Sequence, residues 1–271
     1  MPHDTGSTFR ALHTPGAPFL MVNVWDKGTA RVMAHLGVKA LATSSAAHAY
    51  VLGRPDGGHV TRDEALAHAE EIVSATPLPV QGDFENGFGD APETCAETVR
   101  LAAEAGLAGI CIEDVALIDG KAYDQTLAVE RIRAAASAAR ALPRDFVLTA
   151  RADGLMIGVY DEAEATARLQ AFETAGADCL YAPLPADMAA LARLTASVKA
   201  PVNALVAGHF AKETRSAYGD IGIARLSIGA ALARAMQHTM MEAAQGMLDG
   251  DFSALTKTSA TAGIDDMLSS D

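Results

Sequence analysis

The chain has 271 residues, half of them hydrophobic, and its 21 basic against 34 acidic residues give a net charge of −13. An acidic protein without a basic run or interleaved basic and aromatic residues is not suited to a nucleic-acid partner. No apolar run reaches the roughly 20 residues that a membrane-spanning helix requires, so we expect no membrane partner. The length suits one large domain or two small ones.

Two further features concern the cellular compartment. Met1 to Gly16 is polar, contains proline and glycine, and lacks the basic and apolar regions of a signal peptide, so we expect a flexible lead-in. Cys95, Cys111 and Cys179 are odd in number, widely spaced and without a C-x-x-C pair. This usage disfavours disulfides and zinc, and it predicts the reducing cytoplasm.

A self-similar unit recurs along the chain: a helix end, a glycine, a short apolar strand and a polar residue. Glycine in this place commonly adopts the left-handed conformation that ends a helix. Alanine-rich stretches with helical periodicity separate the units. The predicted strands are Phe19–Val24, Ala40–Thr43, Val80–Phe84, Gly109–Glu113, Phe146–Ala150, Cys179–Ala182, Val202–Leu205 and Ile223–Ile228.

This alternation predicts a (β/α)8 TIM-type barrel in a single domain, 1–271, with the barrel at about 19–228 and C-terminal helices at 229–271. An open doubly wound sheet is the alternative, but no G-x-G-x-x-G motif follows the first strand. In a barrel of this kind, functional side chains are expected where the strands end.

Three acidic residues stand at two neighbouring strand ends. Asp83 and Glu85 are spaced i, i+2, which places two side chains on one side of an extended strand, and Glu113 ends the next strand. Such acids repel each other unless a cation lies among them, and hard oxygen ligands suit Mg²⁺, or Mn²⁺ in its place. The alternative is that they are solvated loop residues or helix caps, which is what we predict for the nearby Asp90 and Asp114. We predict a metal site at Asp83, Glu85 and Glu113.

Polar groups for an anionic ligand stand at other strand ends. Arg151 follows an apolar strand, where an arginine is costly unless it pairs with an anion. We predict that it binds the substrate, with a salt bridge to Asp153 or Glu113 as the alternative. Hydroxyls come from Ser44 and Ser45, and the seventh strand adds the amide of Asn203.

Two long loops are expected near these strand ends. Ala46 to Thr61 contains Gly residues around a Pro-Asp turn and is a candidate lid, although an ordinary surface turn has a similar composition. Asp114 to Gln125 directly follows Glu113 and would lie over the metal. Its possible proton-transfer groups are Asp119, Lys121 and Tyr123, any of which could equally be solvent-exposed.

Several ordered motifs together resemble one known family. They are Asn23-Val24-Trp25-Asp26, Ala42-Thr43-Ser44-Ser45-Ala46, Leu52-Gly53-Arg54-Pro55-Asp56-Gly57, Asp83-Phe84-Glu85-Asn86-Gly87-Phe88-Gly89, Gly109-Ile110-Cys111-Ile112-Glu113-Asp114, Ala150-Arg151-Ala152-Asp153 and Ser227-Ile228-Gly229-Ala230-Ala231-Leu232. From about Phe19 to Leu248, the chain resembles the isocitrate lyase / phosphoenolpyruvate mutase superfamily. Within it, the chain is similar to a loosely defined bacterial group named carboxyphosphonoenolpyruvate mutase-like.

The resemblance implies a role for each matching position. Asp83 would be a direct Mg²⁺ ligand, and Glu85 and Glu113 would hold the metal largely through water. Ser44, with the backbone of Ser45 and Ala46, would bind the substrate carboxylate together with Arg151, and Asp56 would lie on a gating loop. Family members stabilise a pyruvate-like enolate while a C–C or P–C bond is made or broken. The usual assembly is a homotetramer with exchanged C-terminal helices, which suits the Met-rich segment after Gly229.

The loop 114–125 departs from both branches of the superfamily. It lacks the cysteine of the K-K-C-G-H or K-R-C-G-H loop of lyases, and Asp119-Gly120-Lys121 stands where phosphonomutases and phosphonopyruvate hydrolases carry K-T-N. Position 42 is Ala where the mutase has Trp. Three hypotheses follow: a Mg²⁺-dependent C–C lyase for a small 2-hydroxy or 2-oxo carboxylate, an enzyme of P–C chemistry, and a barrel that binds a carboxylate without turnover.

Overall fold

The chain forms a closed barrel of eight parallel strands, each paired with the next and the eighth with the first. The computed structural model describes residues 5–269, except for the side chains of residues 261 and 262. The strands are β1 (Phe19–Asn23), β2 (Ala40–Ala42), β3 (Val80–Asp83), β4 (Gly109–Glu113), β5 (Val147–Arg151), β6 (Cys179–Tyr181), β7 (Val202–Leu205) and β8 (Arg225–Ser227). The predicted barrel is confirmed, and every predicted strand end lies within two residues of an observed one.

Helices alternate with the strands and cover the outside of the barrel. They are α1 (Thr5–Leu12), α2 (Lys27–His35), α3 (Ser45–Val51), α4 (Arg62–Val73), α5 (Pro92–Glu104), α6 (Gln125–Arg140), α7 (Glu162–Ala175), α8 (Met188–Ala196), α9 (Arg215–Asp220), α10 (Ala231–Leu248) and α11 (Thr261–Ser269). Many of them begin at an Asp, Ser or Thr whose side chain accepts a hydrogen bond from the first turn. Within residues 5–269, no helix combines the length and apolar composition needed to cross a membrane.

The N-terminal segment closes the barrel at the end opposite the carboxyl ends of the strands. Residues 5–12 were expected to be flexible but form α1, because Phe9 is fully buried and Arg10 pairs with Asp145 and Asp178 at 3.1 and 2.7 Å. Residues 1–4, the rest of that prediction, lie outside the described part. The α1 segment is short and largely polar, so its amphipathic pattern was too weak to predict this packing from the sequence.

The C-terminal helices extend beyond the barrel. In α10, Met236, Met240 and Met241 are more than half exposed. Helix α11 packs on α2 of the same chain, where Arg31 Nη1 donates a hydrogen bond to the carbonyl of Leu268 at 2.6 Å. The predicted exchange of these helices between subunits stays a prediction, and residues 270 and 271 of the predicted segment are outside the described range.

Candidate active site

A cavity of about 590 Å³ opens at the carboxyl ends of the strands, where a barrel enzyme carries its active site. Most of the residues that the sequence predicted to bind metal or substrate line its polar side. Those that line it are Ser44, Ser45, Ala46, Asp56, Asp83, Glu85, Glu113 and Arg151. Residues more than a hundred positions apart therefore meet in one cavity, because consecutive parallel strands end at the same rim.

Asp83, the last residue of β3, is held by donors from the first residue of α3 and from the middle of β4. Both the backbone N–H and the hydroxyl of Ser45 donate to Asp83 Oδ2 at 2.9 Å. The Cys111 thiol donates to Oδ1 at 3.2 Å. Ser44, which begins α3, accepts from the backbone N–H of Ala47, so its hydroxyl serves first as a helix cap. These contacts fix the Asp83 carboxylate in the lining of the cavity.

Arg151, the last residue of β5, contacts three carboxylates at once. Its Nη1 lies 2.7 Å from Glu113 Oε1 and 3.3 Å from Asp83 Oδ1, and its Nη2 lies 2.5 Å from Asp153 Oδ1. The side chains of Arg151 and all three partners are at most 15% exposed. The salt-bridge alternative considered for Arg151 is therefore present, and the guanidinium neutralises part of the acidic cluster.

Burial controls the protonation of this cluster. The pKa of Glu113 is raised well above its ordinary value because burial disfavours the charged carboxylate more than Arg151 favours it. The pKa of Arg151 is also raised, since burial, which lowers it, is outweighed by Asp153, Glu113 and other groups around the guanidinium. Both shifts arise because several carboxylates are buried around one guanidinium.

Glu85 follows β3 and turns back into the cavity wall. Its φ of +46° lies in the left-handed region that non-glycine residues seldom adopt, which overrides the simple i, i+2 geometry expected from an extended strand. Oε1 accepts a hydrogen bond from the backbone N–H of Gly58 at 2.9 Å, whereas Oε2 is buried without a hydrogen-bond partner. Burial raises the pKa of this carboxyl to about 7, and the nearby Asp83 adds to the shift.

The predicted lid is partly a helix. The region 46–61 contains most of α3 (Ser45–Val51), and the remaining turn crosses the cavity with Gly57 and Gly58 at φ of +84° and +77°. The turn is tied to α4 by Arg54, whose Nη1 lies 2.8 Å from Glu64 Oε2. Asp56 lines the cavity, and burial together with the charge of Asp83 raises its pKa.

The donor set suits Mg²⁺, although no ligand set is preformed. Within residues 5–269, no three His, Cys, Asp or Glu side chains converge as a ready-made metal site. Five acidic residues nevertheless line the cavity, against the arginines Arg151 and Arg234. An unpartnered buried oxygen, Glu85 Oε2, points to a missing positive partner. Because Mg²⁺ keeps several waters and needs one or two direct carboxylates, these residues fit it better than an ion that demands a full protein cage.

The chain matches known proteins in both sequence and fold. Residues 9–248 match the family model described as phosphoenolpyruvate phosphomutase. The chain belongs to this family. Over 87% of its length and 83% of the relative's, it is 31% identical to the 2-methylisocitrate lyase of Escherichia coli (strain K12). It is also 30% identical to the oxaloacetate decarboxylase of Pseudomonas savastanoi pv. phaseolicola, over 81% and 76% of the two chains.

The fold agrees with this placement. A crystal structure from Burkholderia cenocepacia J2315, provisionally described as a lyase/mutase, superposes with a TM-score of 0.93 at 43% identity and covers 98% of this chain and 96% of that one. The isocitrate lyase / phosphoenolpyruvate mutase superfamily predicted from the motifs is thus confirmed. Further residues line the cavity of this chain, and the sequence did not predict their positions.

None of the three predicted proton-transfer residues, Asp119, Lys121 and Tyr123, lines the cavity. The hydroxyl of Tyr123 donates to Asp90 Oδ1 at 2.5 Å and accepts from the Asn86 amide at 2.8 Å, and the Arg131 guanidinium covers its ring at 4.2 Å. Burial raises the pKa of Tyr123 to about 12. Lys121 is exposed on the hairpin formed by the Val115–Ala122 bridge. The hairpin contributes its neighbour Gly120 to the lining, with residues 115–118.

Asn203 lies below the main cavity rather than in it. It is 1% exposed, its Oδ1 accepts from Arg225 Nε at 2.8 Å, and its amide donates to Ser227 Oγ at 2.9 Å. It lines a smaller cavity of about 40 Å³ inside the barrel, which shares Asp83 and Arg151 with the main one. Asn203 is the second residue of β7 rather than its last, so it belongs to a polar layer inside the barrel, below the rim at which it was expected.

Sequence reasoning missed Tyr181 and misjudged Asp114. Tyr181 ends β6 and lines the cavity, with the Arg151 guanidinium 5.1 Å from its ring. An aromatic residue at a strand end was the available indication. Asp114 was expected to be a solvated residue or a helix cap. It is instead buried, with Oδ2 at 3.1 Å from Arg168 Nη1 and 2.8 Å from the Tyr160 hydroxyl, because the loop after β4 turns inward.

Proposed function

We propose that the protein is a Mg²⁺-dependent lyase that makes or breaks a C–C bond in a small 2-hydroxy or 2-oxo carboxylate through a pyruvate-type enolate. The observation that carries the proposal is the set of carboxylates at the barrel mouth, in which Glu85 Oε2 is buried without a partner. The relatives named a methylisocitrate lyase and an oxaloacetate decarboxylase support an acid of this class.

Each part of the cavity has a proposed task. Asp83, Glu85 and Glu113 hold the ion, Mg²⁺ or Mn²⁺, which when bound supplies positive charge to the oxygens of a 2-oxo carboxylate. The first turn of α3 brings Ser44 and Ser45 to the same wall, with the backbone of Ala46 beside them. We assign these groups to the substrate carboxylate.

Arg151 has two tasks in the proposal. Its guanidinium neutralises part of the acidic cluster and presents fixed donors to a carboxylate, for which the planar fork of an arginine is suited. Asn203 supports this floor from below through the polar layer inside the barrel. The charge of Arg151 is permanent, so it remains a donor at every pH at which the acids titrate.

Loop residues are assigned to closure and proton transfer. Asp56 faces the cavity from the lid, and lid closure excludes water from a reactive enolate. We assign proton transfer to Lys121, whose exposed side chain stands on the hairpin next in sequence to the lining residue Gly120. Tyr123 would need its contacts with Asp90 and Asn86 to break before it could take part.

Product formation by NMR tests the proposal directly. The purified protein is incubated with Mg²⁺ and, separately, oxaloacetate, substituted malates, methylisocitrate and phosphonopyruvate. We expect pyruvate or a related 2-oxo acid from a carbon acid, lost on addition of EDTA. Turnover of phosphonopyruvate alone would replace the lyase by P–C chemistry, the activity for which the matched family model is described. Oxalate binding without any product would support a non-catalytic barrel.

A pair of variants assigns the metal site. Asp83→Ala removes the central carboxylate, and we expect it to abolish Mg²⁺-dependent turnover while circular dichroism shows an intact fold. Asp63→Ala removes an exposed carboxylate from the first turn of α4 and should leave turnover unchanged. A normal rate in Asp83→Ala would refute the assigned metal site.

The proposal includes an assembly and a compartment. The exposed methionines of α10 form an apolar face of the kind that proteins bury between subunits, which supports a homotetramer built as a dimer of dimers. Cys95, Cys111 and Cys179 are unpaired, which fits the cytoplasm. Light scattering of the purified protein measures its oligomeric state directly.

A further inference from the structure

The cavity has two chemically different sides. Its acids and Arg151 occupy one side, whereas the wall formed by the hairpin, by the loops after β5 and β6 and by the end of β7 is aliphatic. The large apolar residues of this wall are Leu117, Ile118, Met156, Ile157, Leu184 and Leu205. A volume of about 590 Å³ falls in the range in which proteins bind ligands much larger than a three-carbon acid. A substrate as small as pyruvate would leave this wall without a contact.

Part of this wall is exposed to solvent. Ile118 is 80% exposed, Ile157 45% and Met156 38%. Single exposed apolar residues are common, but three at the mouth of one cavity mark a surface that binds an apolar group. Because they adjoin the proposed substrate site, an aliphatic part of the substrate is the occupant that the surface fits.

The conformation of Ile118 supports a functional role. Its φ of +71° is left-handed, a region in which a β-branched residue is strained and in which glycine or asparagine would be cheaper. The side chain also meets the lid, since a Cβ added at Gly58 would lie 3.0 Å from Ile118 Cγ1 and 3.1 Å from Leu117 Cβ. Gly58 in turn donates to Glu85. The aliphatic tip therefore adjoins the lid, which contacts the acidic cluster on its other side.

A competing feature lies at the rim. Arg234 of α10 is exposed, lines the cavity, and forms no ion pair with any residue in the described range 5–269. It would suit a second carboxylate at the far end of the substrate. The wall between the floor and the rim is nevertheless aliphatic, and a carboxylate passing along it would lose hydration without gaining a donor.

We propose that the cavity selects a 2-oxo or 2-hydroxy acid with an aliphatic substituent longer than a methyl group, and that Ile118 and Met156 contact this substituent. The inference rests on the proposed function for the acid end of the ligand, and it adds the chemistry of the other end. It makes Ile118 and Met156 specificity-determining residues with no part in binding the metal.

Calorimetric titration with a ligand series tests the inference. The probes are pyruvate, 2-oxobutyrate, 2-oxopentanoate and 4-methyl-2-oxopentanoate, each with Mg²⁺, and 2-oxoglutarate carries a terminal carboxylate on a chain of the same length as 2-oxopentanoate. We expect Kd to fall about fourfold for each added methylene, which is the transfer free energy of one buried CH₂ expressed as a ratio. 2-Oxoglutarate should bind more weakly than 2-oxopentanoate.

Variants then locate the contact. Ile118→Asn keeps a residue that tolerates the left-handed conformation but replaces the apolar branches, and Met156→Gln is close in length and polar. We expect both to flatten the dependence on chain length while the Kd of pyruvate changes less than about twofold. Leu36→Asn, at a side chain 62% exposed and absent from the cavity lining, is the matched control and should retain the full dependence.

The outcomes separate the two proposals. Binding of every ligand with one Kd, or tightest binding of 2-oxoglutarate that is lost in Arg234→Gln, would overturn the aliphatic assignment and leave the proposed function intact. Failure of pyruvate and oxalate to bind at all, with Mg²⁺ present, would overturn the proposed function itself and the inference with it.

Discussion

Glu85 gives the sharpest test of the acidic cluster. Its carboxyl is buried with one oxygen unpaired, and its pKa is raised from the ordinary value of 4.5 to about 7. A carboxyl with a raised pKa binds its proton more tightly in the folded protein. The free energy of unfolding of the metal-free protein should therefore rise as the pH falls through 7, with the gain complete below about 4.5.

The magnitude follows from the pKa. Each pKa unit corresponds to about 1.4 kcal/mol, so an ionised Glu85 destabilises the metal-free fold by about 3 kcal/mol above pH 7. Glu85→Gln removes the charge and keeps the shape. Its amide leaves a buried donor without a partner at a cost of about 1–3 kcal/mol, but this cost does not depend on pH. The difference in stability between variant and wild type should thus shift by about 2.5 kcal/mol, in favour of the variant, between pH 5 and pH 8, since a further part of the effect lies below pH 5.

Urea unfolding in EDTA, followed by circular dichroism at pH 5 and pH 8, measures this difference. Glu104→Gln, at an exposed position of α5, is the control and should show no such shift. Other buried acids contribute to the pH dependence of both proteins and cancel in the comparison. A stability difference between variant and wild type that stays constant with pH would refute the reasoning that an ionised, unpartnered Glu85 destabilises the fold. It would also remove the main support for a cation at this site.

Three further outcomes are expected. Arg151→Gln should lower the stability of the metal-free protein by about 3–5 kcal/mol in denaturation experiments, since it leaves buried acids unpaired. In calorimetry it should raise Mg²⁺ affinity and weaken oxalate binding about tenfold or more. An unchanged Mg²⁺ affinity would contradict the idea that Arg151 and the metal share these acids. Asp114→Ala should cost about 3–5 kcal/mol in urea unfolding, because Arg168 loses its buried carboxylate and keeps only the half-exposed Glu164, and the Tyr160 hydroxyl loses its acceptor. A loss below about 1 kcal/mol would show that water compensates for the missing carboxylate. Lys121→Ala should lower kcat about 100-fold with little change in KM if this side chain transfers the proton, whereas an unchanged kcat would remove it from the mechanism.

Much of the fold could be predicted because its determinants are local. The glycine that follows four of the helices, before β2, β4, β6 and β8, is visible in the sequence, and so are the short apolar runs that placed all eight strands within two residues. Helix α1 and the inward turn of Asp114 were not predicted, since each depends on a partner far along the chain: Arg10 on Asp178, and Asp114 on Arg168. Such pairs leave no periodic pattern.

For the site, the sequence by itself determined which residues stand at strand ends, and hence that Asp83, Glu113 and Arg151 share the mouth of a barrel. The tertiary structure alone decided which of these side chains pair with one another. It placed the guanidinium of Arg151 between carboxylates of three segments, left one oxygen of Glu85 without a partner, and directed Tyr123 away from the cavity. The physical reason is that strand periodicity specifies the side to which a residue points, whereas burial, pairing and pKa depend on atoms brought close only by closure of the barrel.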